Sequence, residues 1–253
     1  MNALSPAAIY ETDSALAQYC DAHYGVPHFG TGNFSVRCVT HTLSFMTGRP
    51  MKRALDLGCA VGRASFELAK TFAFVTGLDF SARFIQIAVQ LREKGVIHYA
   101  LAEEGELFSY HEKRLSDLGL DSFAGRVEFF QADAINLNPQ FTNYDLILAA
   151  NLIDRLYDPG KLLATIHERL NPGGLLVLTS PYTWLEEFTR RDNWIGGFKK
   201  NGEPYTTLQG LRGLLQPHFK MLGTPKDIEF VIRETARKFQ HTISQATLWE
   251  RVL

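Results

Sequence analysis

Cysteine is scarce in this chain: Cys20, Cys38 and Cys59 are too few and too scattered among 253 residues for a disulfide framework or a zinc knuckle, and no metal site is expected. They read as free thiols of a reducing compartment, which makes a cytoplasmic location the expectation. Positive charge is not in excess either. The formal net charge is −1 and no Lys/Arg block stands out, so the electrostatic footprint of a nucleic-acid binder is missing and a small molecule is the expected partner. No uncharged apolar run approaches the ~20 residues that cross a bilayer, and Met1 to Pro6 lack a basic segment followed by an apolar one, so neither membrane nor export is expected. Repeats and low-complexity tracts are absent, and Pro and Gly fall at turns instead of in one linker. The sequence leaves the oligomeric state open. With 45% hydrophobic residues, the chain has the material to bury the core of a single domain spanning 1–253.

What is present begins at Arg53-Ala54-Leu55-Asp56-Leu57-Gly58-Cys59-Ala60-Val61-Gly62-Arg63, an apolar strand running into a glycine turn and a helix start. Glycine at 58 takes a positive φ and, without a Cβ, lets a ligand approach the backbone. The spacing Asp56-x-Gly58-x-x-x-Gly62 departs from the dinucleotide Gly-x-Gly-x-x-Gly and favours S-adenosylmethionine over NAD. A second strand, 74–79, ends in Asp79, 21 positions after Gly58 and close to the ~20 expected of a carboxylate that holds a ribose diol. Strands at 126–134, 144–151 and 175–180 follow. Their carboxyl ends carry Asp133, Asn151 and Ser180, where ligands of open α/β sheets bind, and Asp133 is the expected adenine contact.

The remaining elements are expected as follows. Residues 6–24 and 33–47 read as helices flanking an aromatic, glycine-rich loop, 24–34, that would form part of a cofactor lid, so 1–50 becomes an N-terminal helical lid. Ser65 to Phe72 reads as an amphipathic helix, and Ser81 caps a helix to Lys94. Thirty residues from 95 to 125 are too many for a structureless loop, so a helix is expected there, its charges on a solvated face. A core over 51–180 is followed by a substrate-side segment, 181–253, with a helix at 208–215 and a hairpin of strands at 227–235 and 241–250. The whole predicts an α/β fold with a seven-stranded, mostly parallel sheet closed by an antiparallel C-terminal hairpin.

This pattern resembles the Rossmann-like class I methyltransferases, and longer strings resemble the methyltransferase part of the ovothiol biosynthesis enzymes. The strings are Leu55 to Leu68, Gly77 to Phe84, Ala149 to Leu156, Thr179 to Glu187 and Ile232 to His241. The resemblance implies methyl transfer from S-adenosylmethionine, leaving S-adenosylhomocysteine, to an imidazole nitrogen of 5-mercaptohistidine (also numbered 4-mercaptohistidine), giving ovothiol A. The family enzymes also carry an iron-dependent sulfoxide synthase domain. No His-x-x-x-His pair for it occurs here, so the chain would be the methylating half, acting with a separate or fused synthase. The alternatives are a methyltransferase of another small metabolite and a protein that binds adenosylmethionine without turnover.

On this reading Asp56, Gly58, Gly62, Arg63, Asp79, Phe80, Asp133, Ala134 and Asn151 contact the cofactor. Displacement at a sulfonium needs an in-line array kept from water, which suits aromatic walls; Tyr10, Tyr24, Phe29, Tyr182 and Trp184 are the candidates. The candidate catalytic residues are Asn151, which would orient the ring, with Tyr182 and Asp154. Arg233 or Arg237 would hold the substrate carboxylate, and Glu186 or Glu187 its ammonium. A ring bound as imidazolium needs a base, for which Asp154, Glu187 and His241 are the options.

Overall fold

The computed structural model of the chain describes residues 9–252. Two helices lead in. Helix α1 (Asp13–Tyr24) starts where the Thr12 hydroxyl accepts from the Ala15 N–H at 3.2 Å, and α2 (Phe34–Leu43) where the Asn33 amide oxygen accepts from the Val36 N–H at 3.1 Å; such caps satisfy amides that have no partner within the helix. Of the helix expected over residues 6–24, α1 takes 13–24, a turn at 10–12 precedes it, Ile9 is helical, and residues 6–8 lie outside the described residues.

The core then alternates: β1 (Arg53–Leu57), α3 (Arg63–Leu68), β2 (Phe74–Asp79) and α4 (Ala82–Lys94), the last capped by Ser81 and closed by Gly95 at φ +68°. All six residues of α3 are buried, so it is enclosed on every side and not the amphipathic helix of the sequence reading. Between residues 95 and 125 the expected helix is a β-hairpin, β3 (Val96–Glu104) and β4 (Leu107–Arg114), followed by short 3-10 turns. The reason is a period of two. Ile97, Tyr99 and Leu101 are buried while His98 between them is exposed, and Gly105 turns the chain at φ +57°.

There follow β5 (Val127–Gln131), β6 (Tyr144–Ala150), α5 (Pro159–Thr165), β7 (Leu170–Ser180), a small hairpin β8 (Phe198–Lys200) and β9 (Glu203–Tyr205) that the sequence reading missed, α6 (Thr207–Leu215), β10 (Phe219–Arg233) and β11 (Phe239–Arg251). The seven-stranded sheet has the order β10-β11-β7-β6-β1-β2-β5. Only β11 runs against its neighbours: it pairs antiparallel with both β7 and β10, and the other pairs are parallel. This is the Rossmann-like architecture expected, with the last strand inserted beside β7. Both faces are covered, one by α1 to α4 and the β3–β4 hairpin, the other by α5 and α6, which is why β1 and β6 are almost continuously buried. Along β1 the pleat sends Ala54 to the first layer and Leu55 and Leu57 to the second. Among the described residues no helix is long and apolar enough to cross a membrane.

Candidate active site

The carboxyl ends of the parallel strands open into one cavity of about 800 Å³. Gly58 lies at its floor with φ +78°; its N–H and that of Cys59 donate to the Leu78 carbonyl at 2.7 and 2.9 Å, which fixes the turn against β2. Below it the buried Asp56 carboxylate accepts from the Ser65 hydroxyl at 2.6 Å. Burial pushes this acid up to about 7, against the Ser65 hydrogen bond and helped by the charge of Asp79. Asp79 ends β2 and accepts the Ala60 N–H on one oxygen (2.8 Å) and the Ser81 N–H on the other (2.9 Å). Its pKa is raised to about 6, burial outweighing those bonds. Each oxygen keeps a lone pair for one further donor.

At one end of the cavity Phe80 presents an exposed ring, and Ala134 and Asp133 line the loop after β5. Asp133 is held by the Ile135 N–H (2.9 Å), the Asn136 amide (2.8 Å) and the Tyr157 hydroxyl (3.0 Å). The set fits an adenosyl cofactor: a carboxylate at the end of β2 for a diol, a second acid beyond β5, and a floor without a side chain between them.

Asn151, at φ +52° just beyond β6, receives the Thr179 hydroxyl (3.0 Å) and the Ser244 hydroxyl (2.7 Å) on its amide oxygen. Both donors sit on the oxygen, and among the described residues no hydrogen bond is made by the amide nitrogen of this cavity-lining residue. Asp154 also borders the cavity and accepts from Ser180 (3.0 Å), Thr183 (2.9 Å) and Arg155 (2.9 Å). Arg155 is the one Lys or Arg on the wall among the described residues, and its guanidinium stands 4.9 Å over Phe188. Tyr10 and Tyr19 continue the wall beside it, Tyr10 lying 6.2 Å from Phe188.

The structure thus brings Asp56, Gly58, Asp79, Phe80, Asp133, Ala134, Asn151, Asp154 and Glu187 to one cavity, and the lid segment contributes Val26 to His28 and Thr31 to Phe34. It does not bring the rest there. Gly62 opens α3 at φ +87° and is filled in by Phe129 and Ala88, and Arg63 is spent on Glu67 and the His23 carbonyl. Trp184 is a core side chain bonded to Thr207 and stacked on Trp194, and Tyr182 donates to Gln245. Of the aromatic candidates only Tyr10 lines the cavity: Tyr24 is buried on the Val61 carbonyl, and Phe29 packs against Phe239. Arg233 is ion-paired with Glu103 at 2.6 Å, tying β10 to the β3–β4 hairpin, and exposed Arg237 lies in the β10–β11 turn. His241 pairs with Glu229 at 2.9 Å on the outer face of β11, whereas Gln240 and Thr242 on either side of it line the cavity.

Gln240, Thr242, Asp21, His28, Arg155, Tyr19 and Phe188 are among the wall residues that the sequence reading missed. The period of two along β11 was the available signal for Gln240 and Thr242. Asp21 and His28 carried none, because their approach depends on how α1 and the lid pack.

A protein-family profile described as "Methyltransferase domain" matches residues 37–217. Among curated proteins, the ubiquinone biosynthesis O-methyltransferase of Haemophilus ducreyi is 26% identical over 129 residues, 51% of this chain and 45% of that protein. Phosphoethanolamine N-methyltransferase 1 of Arabidopsis thaliana is 26% identical over 169 residues, 64% of this chain and 29% of that protein. The chain spans less than half the length of these curated relatives. Among solved structures, magnesium protoporphyrin IX methyltransferase from Synechocystis PCC 6803 with bound SAM superposes with a TM-score of 0.57 at 15% identity, over 99% of each chain. The fold is that of the SAM-dependent methyltransferases.

Proposed function

The chain belongs to the methyltransferase-domain family, and on that premise we propose that it transfers a methyl group from S-adenosylmethionine to a nitrogen of a small molecule. The observation that carries this reading is the continuity of the cavity from Asp79 and Asp133, past Gly58, to Asn151 and the inner face of β11. The donor supplies an electrophilic methyl on a sulfonium. Asp79 holds the ribose, Asp133 with Phe80 and Ala134 the adenine, and the bare Gly58 lets the chain of the cofactor lie on the floor. Tyr10, Tyr19 and Phe188 exclude water above it.

The acceptor we assign is the imidazole ring of 5-mercaptohistidine; the support is the likeness of five separated strings, from Leu55 to His241, to the ovothiol enzymes. Its thiolate is softer than its ring nitrogen, so the product depends on how the ring is held. The Asn151 amide nitrogen, locked by Thr179 and Ser244, is a donor able to hold the thiolate or a ring nitrogen in one orientation. Of the three bases considered, Glu187 is the exposed carboxylate on the wall; Asp154 already receives three donors and His241 faces away. Calorimetric titration with S-adenosylhomocysteine, then 5-mercaptohistidine, with histidine as control, tests the reading. Sequential binding selective for the mercapto compound is expected. Cofactor binding with indifference to it removes the acceptor assignment, and absence of cofactor binding removes the methyltransferase reading.

A further inference from the structure

The cavity has a second end, away from Asp133, where one carboxylate lacks a cation. Asp21, on the last turns of α1, is 8% exposed and lines the cavity. One of its oxygens accepts from the Tyr99 hydroxyl of β3 at 3.2 Å; the other lies 3.5 Å from Nε2 of His28. Among the described residues no Lys or Arg comes within 4.0 Å of it, whereas the other buried carboxylates with ion partners, Glu67 and Asp154, each have an arginine. A carboxylate buried this far is costly without a positive charge, and among the described residues a weakly placed histidine is the only cationic partner it has.

The local sequence keeps this acid in place. A Cβ on Gly25 would stand 2.3 Å from the Asp21 carboxylate oxygen, so glycine there makes room for the side chain at an ordinary φ of −74°. The His28 ring is in turn seated on Phe239 at 4.9 Å, next to Gln240 on β11. The inner face of β11 therefore measures distance from the floor of the cavity. Ser244 holds Asn151, Thr242 follows, and Gln240 beside the His28 subsite comes next. Ser244 and Gln240 are four residues, about 13 Å, apart along the strand, a span that the acceptor covers with its own length and a hydrogen bond of about 2.9 Å at each end.

We propose that Asp21 is the subsite for the ammonium group of the acceptor, making the substrate class a free α-amino acid whose reactive ring lies at Asn151 and whose charged end lies under the lid; this rests on the reading of the cavity as a methyl-acceptor site. An acid in a low-dielectric wall binds an ammonium by a charge-assisted hydrogen bond, and a neutral or anionic end meets an unpaired buried charge. The subsite excludes des-amino acids by that penalty.

The test is calorimetry of the whole chain loaded with S-adenosylhomocysteine. The ligands are 5-mercaptohistidine, its des-amino analogue, and a panel of α-amino acids with their des-amino counterparts, each against wild type and Asp21→Asn. This substitution keeps the size of the side chain and an acceptor for Tyr99. For wild type the des-amino analogue is expected to bind at least about tenfold more weakly, and in Asp21→Asn the two affinities are expected to converge. Equal binding of both forms to wild type overturns the subsite while leaving the acceptor assignment intact. If 5-mercaptohistidine does not bind but another amino acid is preferred over its des-amino form, and Asp21→Asn removes that preference, the acceptor assignment falls and the subsite stands. If no amino acid is preferred over its des-amino form, the subsite is wrong. Should Asp21→Asn fail to fold, the wild-type ligand pairs alone decide.

Discussion

Replacing Gly62 by alanine separates packing from ligand binding within the glycine turn. At φ +87° an alanine pays the left-handed penalty of about 1–2 kcal/mol. Its Cβ would lie 2.7 and 2.8 Å from the edge of the Phe129 ring and 3.2 Å from the Ala88 methyl. Phe129 is itself packed on Phe66 at 5.4 Å, so the ring has little room to yield, and overpacking of this kind costs about 1–3 kcal/mol. The expected loss is therefore about 2–5 kcal/mol, a large part of the ~5–15 kcal/mol that holds a domain folded. Urea denaturation reads it as a fall in midpoint at unchanged slope. Because Gly62 does not line the cavity, the protein that remains folded should bind S-adenosylhomocysteine about as well as wild type. Gly58→Ala is the counterpart. Its φ of +78° is also unfavourable, but the new Cβ meets the movable end of Leu152 at 3.0 Å and projects at the cavity floor. Stability should fall by only about 1–2 kcal/mol, while S-adenosylhomocysteine affinity drops by about tenfold or more. A Gly62→Ala protein that is as stable as wild type, or that is stable and has lost the cofactor, refutes the division of labour argued for the turn.

Asp56 should make the ligand-free protein less stable as pH rises. With its pKa moved from 3.8 in the unfolded chain to about 7 in the fold, the native state binds the extra proton between those values. Its contribution is then complete below pH ~4 and lost by pH ~7, on the order of 4 kcal/mol, and thermal melts of Asp56→Asn should show a flatter pH dependence over that window. Arg233→Ala and Glu103→Ala should each lower the melting temperature, the double variant little further, with KM for the acceptor unchanged; a KM effect confined to Arg233 would restore it as a substrate ligand. Asn151→Ala removes the acceptor of two hydroxyls and the free amide donor together, so stability should fall by about 1–2 kcal/mol and kcat/KM by about a hundredfold; unchanged turnover would remove Asn151 from the acceptor site.

The parallel half of the fold was legible because each strand announces itself. β1, β2 and β6 are short, largely apolar runs with a polar residue at or next to the carboxyl end (Asp56, Asp79, Asn151), and Ser81 and Gly95 mark the two ends of α4. The same logic placed Asp79, Asp133 and Asn151 on one cavity, since strand ends alone position them. Legibility ended where position depends on tertiary packing. The β3–β4 segment was misread because its charges drew attention from the alternation of Ile97, Tyr99 and Leu101. Trp184 and Tyr182 lie in the expected segment, yet Thr207 and Gln245, distant in sequence, claim their polar atoms.

The β10–β11 hairpin shows how a correct element can yield the wrong side chains. The Ile232 to His241 string directs attention to its charged residues, because Arg, Glu and His are the types that bind amino acids. The pleat decides otherwise. On β11 the residues at 240, 242 and 244 share one face and 241 the other, so His241 meets Glu229 outside while Thr242 and Ser244 serve the cavity and Asn151. Arg233 has a bonded carboxylate on Glu103, so the charged groups left for the acceptor come from the loops, Arg155 and Glu187, and from the helical layer above the sheet. Of these, Asp21 alone is a buried acid on the cavity wall without an arginine or lysine partner among the described residues. On the proposed reading the site divides its labour by layer: strand ends would hold the cofactor, the inner face of β11 would set the reach, and α1 with the segment after it would set which molecules are long enough and correctly charged to fill it.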